Sequence, residues 1–175
     1  LGIADQLHVN EVDPTCLAAV DALVTEVAPD AIYVLAGQSS VGLSCSLPAE
    51  TLLSHVQPVV AACEAVRKHV PHCHVVVAAS GEIFGETGVH APAHELSPFK
   101  PLNPYGVAKV MAVEAARMYR DRYDVKASVA FLFNHESPLR PSRFVFGKVA
   151  AGITAIREGI ADFLELGNRT VVRDR

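Results

Sequence analysis

Cys73-His74-Val75-Val76-Val77-Ala78-Ala79-Ser80-Gly81-Glu82 (residues 73–82) is an apolar, β-branched run that stops at small and polar residues. This composition predicts a β-strand over residues 73–79 that ends where the polar residues begin. Similar or alternating patterns predict further strands in four other segments: 6–12, 31–36, 126–133 and, as a last short strand, 163–166.

Helical patterns separate these strands. Helices are predicted over four segments: 14–28, 48–69, about 104–122 and about 143–158. Asp13 is expected to cap the first of them, with Pro14 at its first position. Pro58 lies inside the second, where we expect a kink or a restart. Apolar strands that alternate with helices indicate an α/β fold with a parallel sheet covered on both faces.

Short polar clusters follow three of the predicted strands, at residues 37–40, 80–82 and 134–137. The carboxyl ends of parallel strands lie at one edge of the sheet, and ligands bind there. The sequence therefore predicts one pocket formed by these clusters. Gly81, Gly85 and Gly88 do not have the spacing of a phosphate-binding loop, and we interpret them as turn glycines. The chain as given thus contains no loop for the pyrophosphate of a dinucleotide.

The composition excludes several classes of function. The 175 residues carry a net charge of −4 with the two signs interspersed, which argues against a nucleic-acid-binding or membrane-surface protein. No apolar run reaches the roughly 18 residues of a membrane span. A metal at His72-Cys73-His74 is the less favoured interpretation, since zinc needs three or four converging ligands, and we predict no metal. Four cysteines without a Cys-x-x-Cys pair indicate buried thiols of a cytoplasmic protein: Cys16, Cys45, Cys63 and Cys73.

A second informative stretch predicts the start of a helix with reactive side chains in its first turns: Asn103-Pro104-Tyr105-Gly106-Val107-Ala108-Lys109 (residues 103–109). Asn103 suits the N-cap, and Pro104 suits the first helical position. Tyr105 and Lys109 share one helix face, and an ammonium group beside a phenol is expected to lower the pKa of the phenol. The pair would then act as a general acid/base, although chance residues on a solvated face are the alternative. The inner face of this helix is predicted to consist of Val107, Val110, Met111, Ala115 and Met118.

Three motifs together resemble the extended short-chain dehydrogenase/reductases, most nearly the GDP-mannose 4,6-dehydratase family within them. The motifs are residues 77–85, residues 103–109, and residues 132–140 with their Asn-His-Glu-Ser-Pro run. The resemblance covers essentially the whole chain. It implies a Rossmann-like doubly wound sheet and a lyase that uses NADP, or alternatively NAD. It also implies dehydration of a nucleotide sugar, with GDP-mannose as the first expected substrate.

The resemblance also implies catalytic roles. Tyr105 would be the base for the C4 hydroxyl of the hexose, and Lys109 would lower the pKa of Tyr105 and hold the nicotinamide ribose. Ser80 would hydrogen-bond the C4 oxygen. Glu82 would remove the C5 proton and protonate the hydroxyl that leaves C6. A polar turn at the end of the strand is the alternative interpretation of Ser80 and Glu82.

Binding residues are implied in the same way. The cofactor would contact Tyr105, Lys109 and five further residues: Glu11, Val12, Leu35, Ala36 and Gly37. The nucleotide sugar would contact Ser39, Asn134, Glu136, Lys148 and Arg173. Plain solvated charge is the alternative for Lys148 and Arg173, which would otherwise suit a diphosphate. The family resemblance also implies a homodimer or homotetramer that pairs through the Tyr105 helix and its neighbour.

Departures from the family pattern leave the function open in part. Phe146-Gly147 stands where the family has Thr-Arg, so one cation is lost, and Pro58 replaces a glycine. We expect residues 1–133 to be a Rossmann core that lacks its first two strands, and residues 134–175 to begin a nucleotide-sugar domain. The chain would then be a portion of a longer protein. A related epimerase or reductase, or a non-catalytic remnant of the fold, remains an alternative.

Overall fold

The computed structural model describes residues 4–87, 92–139, 141–142 and 144–167. Contacts divide the chain into two compact units, residues 1–132 and 133–175. Two short 3₁₀ turns cover Ala4–Gln6 and Gly81–Phe84. The helices and strands of the described residues are α1 (Leu17–Val27), β1 (Ala31–Val34), α2 (Val41–Ser46), α3 (Pro48–His69), β2 (His74–Ala78), α4 (Pro104–Tyr123), β3 (Ala127–Ala130) and α5 (Val145–Arg157).

The three strands form one parallel sheet in the order β1-β2-β3. Ile32 pairs with Val75, and Val77 pairs with Val129. Parallel neighbours require a crossover, which α2 and α3 supply between the first two strands and α4 between the last two. The predicted α/β fold with a parallel sheet is therefore confirmed.

The core of the first unit lies on one face of this sheet. Val34, Val75 and Val77 are nearly inaccessible and form a single cluster with side chains of α1, α3 and α4. On the opposite face Tyr33 is 68% exposed and Ser128 is exposed as well. The prediction that helices cover both faces is thus wrong for the described residues. Successive side chains of a strand point to opposite faces, and all three helices pack against the same one.

The beginning of the chain differs from the prediction. Residues 7–13 belong to no helix or strand, so the strand predicted at 6–12 is wrong, and Val9 is 86% exposed. A strand needs a hydrogen-bonded neighbour, and this segment pairs with none of β1, β2 and β3. Asp13 does not cap α1 either. Its carboxylate accepts hydrogen bonds from the backbone and hydroxyl of Thr15, and the helix begins only at Leu17.

The long helix α3 has the predicted bounds and continues past Pro58 without a restart. Pro58 is buried. The short helix α2 before it was not predicted. Ser40 starts α2 as N-cap, because its hydroxyl accepts from the backbone N–H of Leu43 at 3.2 Å. A serine in a polar loop was the local signal for this helix start.

Helix α4 begins at Pro104 as predicted, but its inner face is displaced from the predicted one. The predicted Val107, Met111 and Met118 are 39%, 43% and 41% exposed, and Val110 and Ala115 are half-buried. The buried face consists instead of Lys109, Val113 and Tyr119 together with four small residues, which allow α4 to lie close to α3 and the sheet: Gly106, Ala108, Ala112 and Ala116.

Two of the four cysteines are buried as predicted, and two are not. Cys63 and Cys73 are completely buried, whereas Cys16 and Cys45 are exposed. Cys16 precedes the first residue of α1, outside the packed part of the helix. Cys45 lies on α2, where Ser44 is the residue that faces inward.

The second unit contains α5, close to its predicted bounds. No strand occurs at 163–166, so that prediction is wrong. Leu164 instead packs against the helix at Gly152, where an added Cβ would lie 2.7 Å from its Cδ1 atom. Within the described residues of the chain, no helix combines the length and the hydropathy needed to cross a membrane.

Candidate active site

A tight turn after β2 places Ser80 and Glu82. The backbone of Ser80 is extended, and its hydroxyl accepts a hydrogen bond from the N–H of Glu82 at 3.3 Å, which starts the turn Gly81–Phe84. Ile83 and Phe84 are 0% and 4% exposed, so the turn is anchored in the interior. Ser80 and Glu82 remain half-buried at the carboxyl end of the strand.

The first turn of α4 places Tyr105 beside this turn. Asn103 is the N-cap, as predicted, and its Oδ1 accepts from the N–H of Gly106 at 2.8 Å. An added Cβ at Gly106 would lie 2.8 Å from the carbonyl oxygen of Glu82. The absence of a side chain there lets the start of α4 approach the Glu82 turn closely. The Nδ2 of Asn103 donates to Oε2 of Glu82 at 3.0 Å.

The pKa of Tyr105 is affected by both Ser80 and Glu82. Burial raises the pKa of Tyr105, a hydrogen bond with Ser80 opposes the rise, and the negative charge of Glu82 adds to it. The prediction that Lys109 lowers the pKa of Tyr105 is therefore wrong for this structure. The cost of burying a phenolate is the largest contribution to this pKa, and the Nζ of Lys109 lies 5.8 Å from the centre of the Tyr105 ring.

Lys109 is anchored to the end of β2. Its Nζ donates to the carbonyl oxygen of Ala78 at 2.7 Å, and the residue is 6% exposed. Burial lowers the pKa of the ammonium to about 8. An amine with this pKa gains or loses a proton in the physiological range, as proton transfer requires.

His55 of α3 was not predicted to belong to the site. It is 4% exposed, its Nε2 donates to the carbonyl oxygen of Gln38 at 2.8 Å, and its ring lies edge-on to Tyr105 with centroids 5.3 Å apart. Burial lowers the pKa of His55, and the charge of Lys109 lowers it further. A histidine inside a largely apolar helix was the available signal, but nothing in the sequence links it to Tyr105.

The loop after β1 contacts this histidine. Gly37 has a φ of +126°, and an added Cβ would overlap the His55 ring, so only glycine fits there. Leu35 is 71% exposed at the carboxyl end of β1, and Ala36 is half-buried. Ser39 is exposed. The clusters that follow β1 and β2 thus meet through His55 and Tyr105, at the predicted edge of the sheet.

The remaining predicted binding residues belong to other segments of the chain. Glu11 is exposed and Val12 is half-buried in the segment before α1, where the structure shows no link to Tyr105. Asn134, Glu136 and Lys148 belong to the second unit, and Lys148 is exposed on α5. Arg173 lies outside the described residues. The roles of all these residues stay predictions.

The cysteine flanked by histidines forms no ligand cluster. Cys73 is buried in the core, while the Nε2 of His74 lies 2.8 Å from the hydroxyl of Ser128 on the open face of the sheet. In the part of the chain that the structure describes, no three His, Cys, Asp or Glu side chains are grouped to hold a metal ion.

Comparison with protein families gives a match over nearly the whole chain. The family model described as GDP-mannose 4,6 dehydratase matches residues 2–175. A GDP-mannose 4,6-dehydratase of Yersinia enterocolitica is 38% identical over 154 residues, which cover 87% of this chain and 41% of that protein. GDP-mannose 4,6 dehydratase 2 of Arabidopsis thaliana is 33% identical over 172 residues, which cover 96% and 46%. The chain therefore spans less than half the length of these relatives.

Solved structures show the same architecture. RMD from Pseudomonas aeruginosa, complexed with NADPH, has a TM-score of 0.81 and 27% identity, covering 89% of this chain and 52% of that one. UDP-glucose 4-epimerase of Thermus thermophilus, in complex with NAD, has a TM-score of 0.75 and 24% identity, covering 85% and 48%. These likenesses confirm the predicted Rossmann-like fold.

Proposed function

Because this chain belongs to the GDP-mannose 4,6-dehydratase family, as the resemblance of its motifs predicted, we propose that the full-length protein dehydrates a nucleotide sugar. GDP-mannose is the proposed substrate, and a GDP-4-keto-6-deoxy sugar is the product. The observation that carries this proposal is the close approach, at the carboxyl end of β2, of the turn that holds Ser80 and Glu82 to the first turn of α4, which holds Tyr105. A hydroxyl, a carboxylate and a phenol there match the proton transfers that the reaction requires.

Oxidation at C4 of the hexose is the proposed first step. Tyr105 accepts the proton of the C4 hydroxyl while the hydride leaves C4, and Ser80 holds the developing carbonyl oxygen. We assign Lys109 to the ribose of the nicotinamide, beside Tyr105. Its ammonium is held near the ring by the Ala78 carbonyl, which supports this role.

Elimination across C5 and C6 follows. The new C4 carbonyl acidifies the C5 proton, which we assign to Glu82 as base. The same carboxyl group returns that proton to the hydroxyl leaving C6, so water departs without net change in charge. The hydride then returns to C6 and a proton from solvent adds to C5, while Tyr105 releases to solvent the proton it took from the C4 hydroxyl, which completes the 4-keto-6-deoxy sugar with no net redox change.

NADP is the proposed cofactor, with NAD as the alternative. When bound, the nicotinamide accepts the hydride of C4 and later supplies it to C6. The end of β1 fits such a group, because Leu35 offers exposed apolar surface and Gly37 brings the backbone close to His55. We assign Leu35, Ala36, Gly37 and Lys109 to the cofactor wall, and Glu11 and Val12 to the adenine. RMD from Pseudomonas aeruginosa is complexed with NADPH, which supports NADP as the cofactor.

We assign the sugar nucleotide to Ser39, Asn134, Glu136, Lys148 and Arg173. Lys148 is an exposed cation on α5, which suits a diphosphate. By the same proposal, residues 1–133 bind the cofactor and residues 134–175 begin the substrate domain. Cys63 and Cys73 are free thiols buried in the core, which supports a cytoplasmic location.

A homodimer or homotetramer is the proposed assembly. Helices α3 and α4 expose apolar side chains to solvent, among them Leu53, Val107, Met111 and Met118. Such side chains are commonly covered by a second copy of the chain. Light scattering on the full-length protein tests this, and a monomer at micromolar concentration would contradict it.

The test of function is incubation of the full-length protein with GDP-mannose and NADP, followed by mass spectrometry of the product. A dehydratase gives a product lighter by one water, and Glu82→Gln lowers that rate by roughly 10²- to 10⁴-fold while reduced cofactor still forms. The exposed Glu86→Gln is the control and should retain activity.

The same experiment separates the alternatives. A nucleotide-sugar epimerase or reductase would lose little activity in Glu82→Gln and would release no water. A non-catalytic protein would neither turn over sugar nucleotides nor carry bound dinucleotide after purification.

A further inference from the structure

The side chain of Asn103 makes two hydrogen bonds in opposite senses. Its Oδ1 accepts from the N–H of Gly106 at 2.8 Å, and its Nδ2 donates to Oε2 of Glu82 at 3.0 Å. We infer that Asn103 is a positioning residue that holds the Glu82 carboxylate against the start of α4. This inference rests on the proposed function, in which Glu82 is the C5 base.

The orientation of the Asn103 amide is fixed by the helix cap. The N–H of Gly106 can only donate, so the oxygen of the amide must face it. The nitrogen is then directed away from the helix, and the Glu82 carboxylate occupies that direction. The two contacts are therefore not independent, because the cap determines which group is offered to Glu82.

Capping alone does not require an amide at this position. Ser40 caps α2 with a hydroxyl, and Asp, Ser and Asn are comparable N-caps. Aspartate has no hydrogen to donate to Glu82. Serine has a single polar atom, which cannot occupy both the Oδ1 and the Nδ2 positions. Asparagine carries the capping oxygen and a donor nitrogen on the same carbon, Cγ.

The amide thus ties together two groups that must act on the same sugar. Tyr105 lies between Asn103 and Gly106 in the first turn of α4, and the Gly106 backbone approaches the Glu82 carbonyl. Hydrogen bonds to a carboxylate are stronger than those between neutral groups. One side chain therefore limits the rotamers of Glu82 and fixes its carboxylate relative to the Tyr105 helix.

The test compares Asn103→Ser and Asn103→Asp in the full-length protein. Both keep a capping oxygen, so the melting temperature should stay within a few degrees of wild type. Both lose the donor, so kcat should fall roughly 10- to 100-fold with KM unchanged, and more in Asn103→Asp because two carboxylates would then face each other. Wild-type kcat in both variants would overturn the inference.

A step-specific measurement separates positioning from a general structural effect. Entry of solvent deuterium at C5 should slow in Asn103→Ser, while formation of reduced cofactor should not. In a Glu82→Gln background, Asn103→Ser should cause no further loss, because the carboxylate it positions is gone. An equal loss in both backgrounds would show that Asn103 acts independently of Glu82 and would overturn the inference.

Crystal structures decide the matter if the full-length protein proves inactive on sugar nucleotides. Inactivity would refute the proposed function without testing whether Asn103 positions Glu82. A Glu82 carboxylate that moves away from α4 in Asn103→Ser would still support positioning by the amide. A carboxylate that keeps its place in the variant would contradict it.

Discussion

The imidazole ring of His55 lies edge-on against the phenol ring of Tyr105, with the centroids 5.3 Å apart and the planes at 79°. The same imidazole donates to the carbonyl of Gln38 in the loop after β1. His55 therefore joins three segments that are far apart in sequence: the β1 loop, α3 and the start of α4. Displacing this ring would affect the proposed cofactor wall and the proposed base together.

The hydrogen bond of His55 can be separated from its ring contact by His55→Phe. Phenylalanine keeps an aromatic edge against Tyr105 but leaves the Gln38 carbonyl without this donor. A fully buried acceptor that loses its partner costs about 1–3 kcal/mol; the Gln38 carbonyl is only part-buried, so the free energy of unfolding should fall by about 1 kcal/mol. Urea unfolding of the full-length protein measures it. His72→Phe, at a histidine whose side chain is 55% exposed, is the control, and equal stability of the two variants would refute the assignment.

Gly106 and Gly42 form a matched pair of helical glycines. An added Cβ at Gly106 would meet the Glu82 backbone at 2.8 Å, while at Gly42 the nearest atom is 3.9 Å away. Gly106→Ala should therefore lower stability by about 1–3 kcal/mol and slow turnover, because Tyr105 and Glu82 are pushed apart. Gly42→Ala should leave turnover unchanged and raise stability by up to about 1 kcal/mol. Thermal unfolding and kcat of both variants check this, and a neutral Gly106→Ala would contradict the close approach.

Lys109 should give stability an unusual dependence on pH. Its pKa is about 8 in the folded protein against 10.5 for an ordinary lysine, so the unfolded chain binds more protons between these values. The free energy of unfolding therefore rises with pH across this window, by on the order of 3 kcal/mol. Lys109→Met has no amine to titrate and should not show this rise. Below pH 8 the charged amine costs stability in the folded state. Denaturant unfolding of both proteins from pH 7 to 10.5 measures the difference, and parallel pH curves would disprove the shift.

Glu64 of α3 accepts a hydrogen bond from Tyr119 of α4. Its contribution to stability should be lost in acid. A hydrogen bond from Arg67 and another from Tyr119 help to lower the pKa of Glu64 to about 2 from the ordinary 4.5. The stabilisation is present above about pH 4.5 and is lost as pH falls towards 2. Glu64→Gln should cost up to about 1 kcal/mol at pH 7, because the pair is partly exposed.

Glu114 provides the control for this effect. It pairs with Arg117 at 2.7 Å in the same i,i+3 geometry, but its side chain is 50% exposed against 24% for Glu64. Glu114→Gln should change the free energy of unfolding by less than about 0.5 kcal/mol. Equal losses in the two variants at pH 7, or a loss in Glu64→Gln that persists at pH 2, would contradict the role of Glu64.

Several predictions that depended on neighbouring residues succeeded, although the Asp13 cap and the predicted start of α1 did not. The start of α4 followed from Asn103 and Pro104, and the strand β2 followed from its β-branched composition. Predictions that depended on distant partners failed. The segment 6–12 has the alternation of a strand but no strand beside it, and α4 turns small side chains inward where its larger ones were expected.

The alternation of β1, α3, β2, α4 and β3, the start of the Tyr105 helix and the family were determined by the sequence itself, because periodicity, caps and motifs are local properties. Only the tertiary structure decided that His55 contacts Tyr105, that Asn103 donates to Glu82, and that the pKa of Tyr105 is raised. These outcomes depend on burial and on distances between groups that lie far apart in the chain, and no pattern within one segment contains that information.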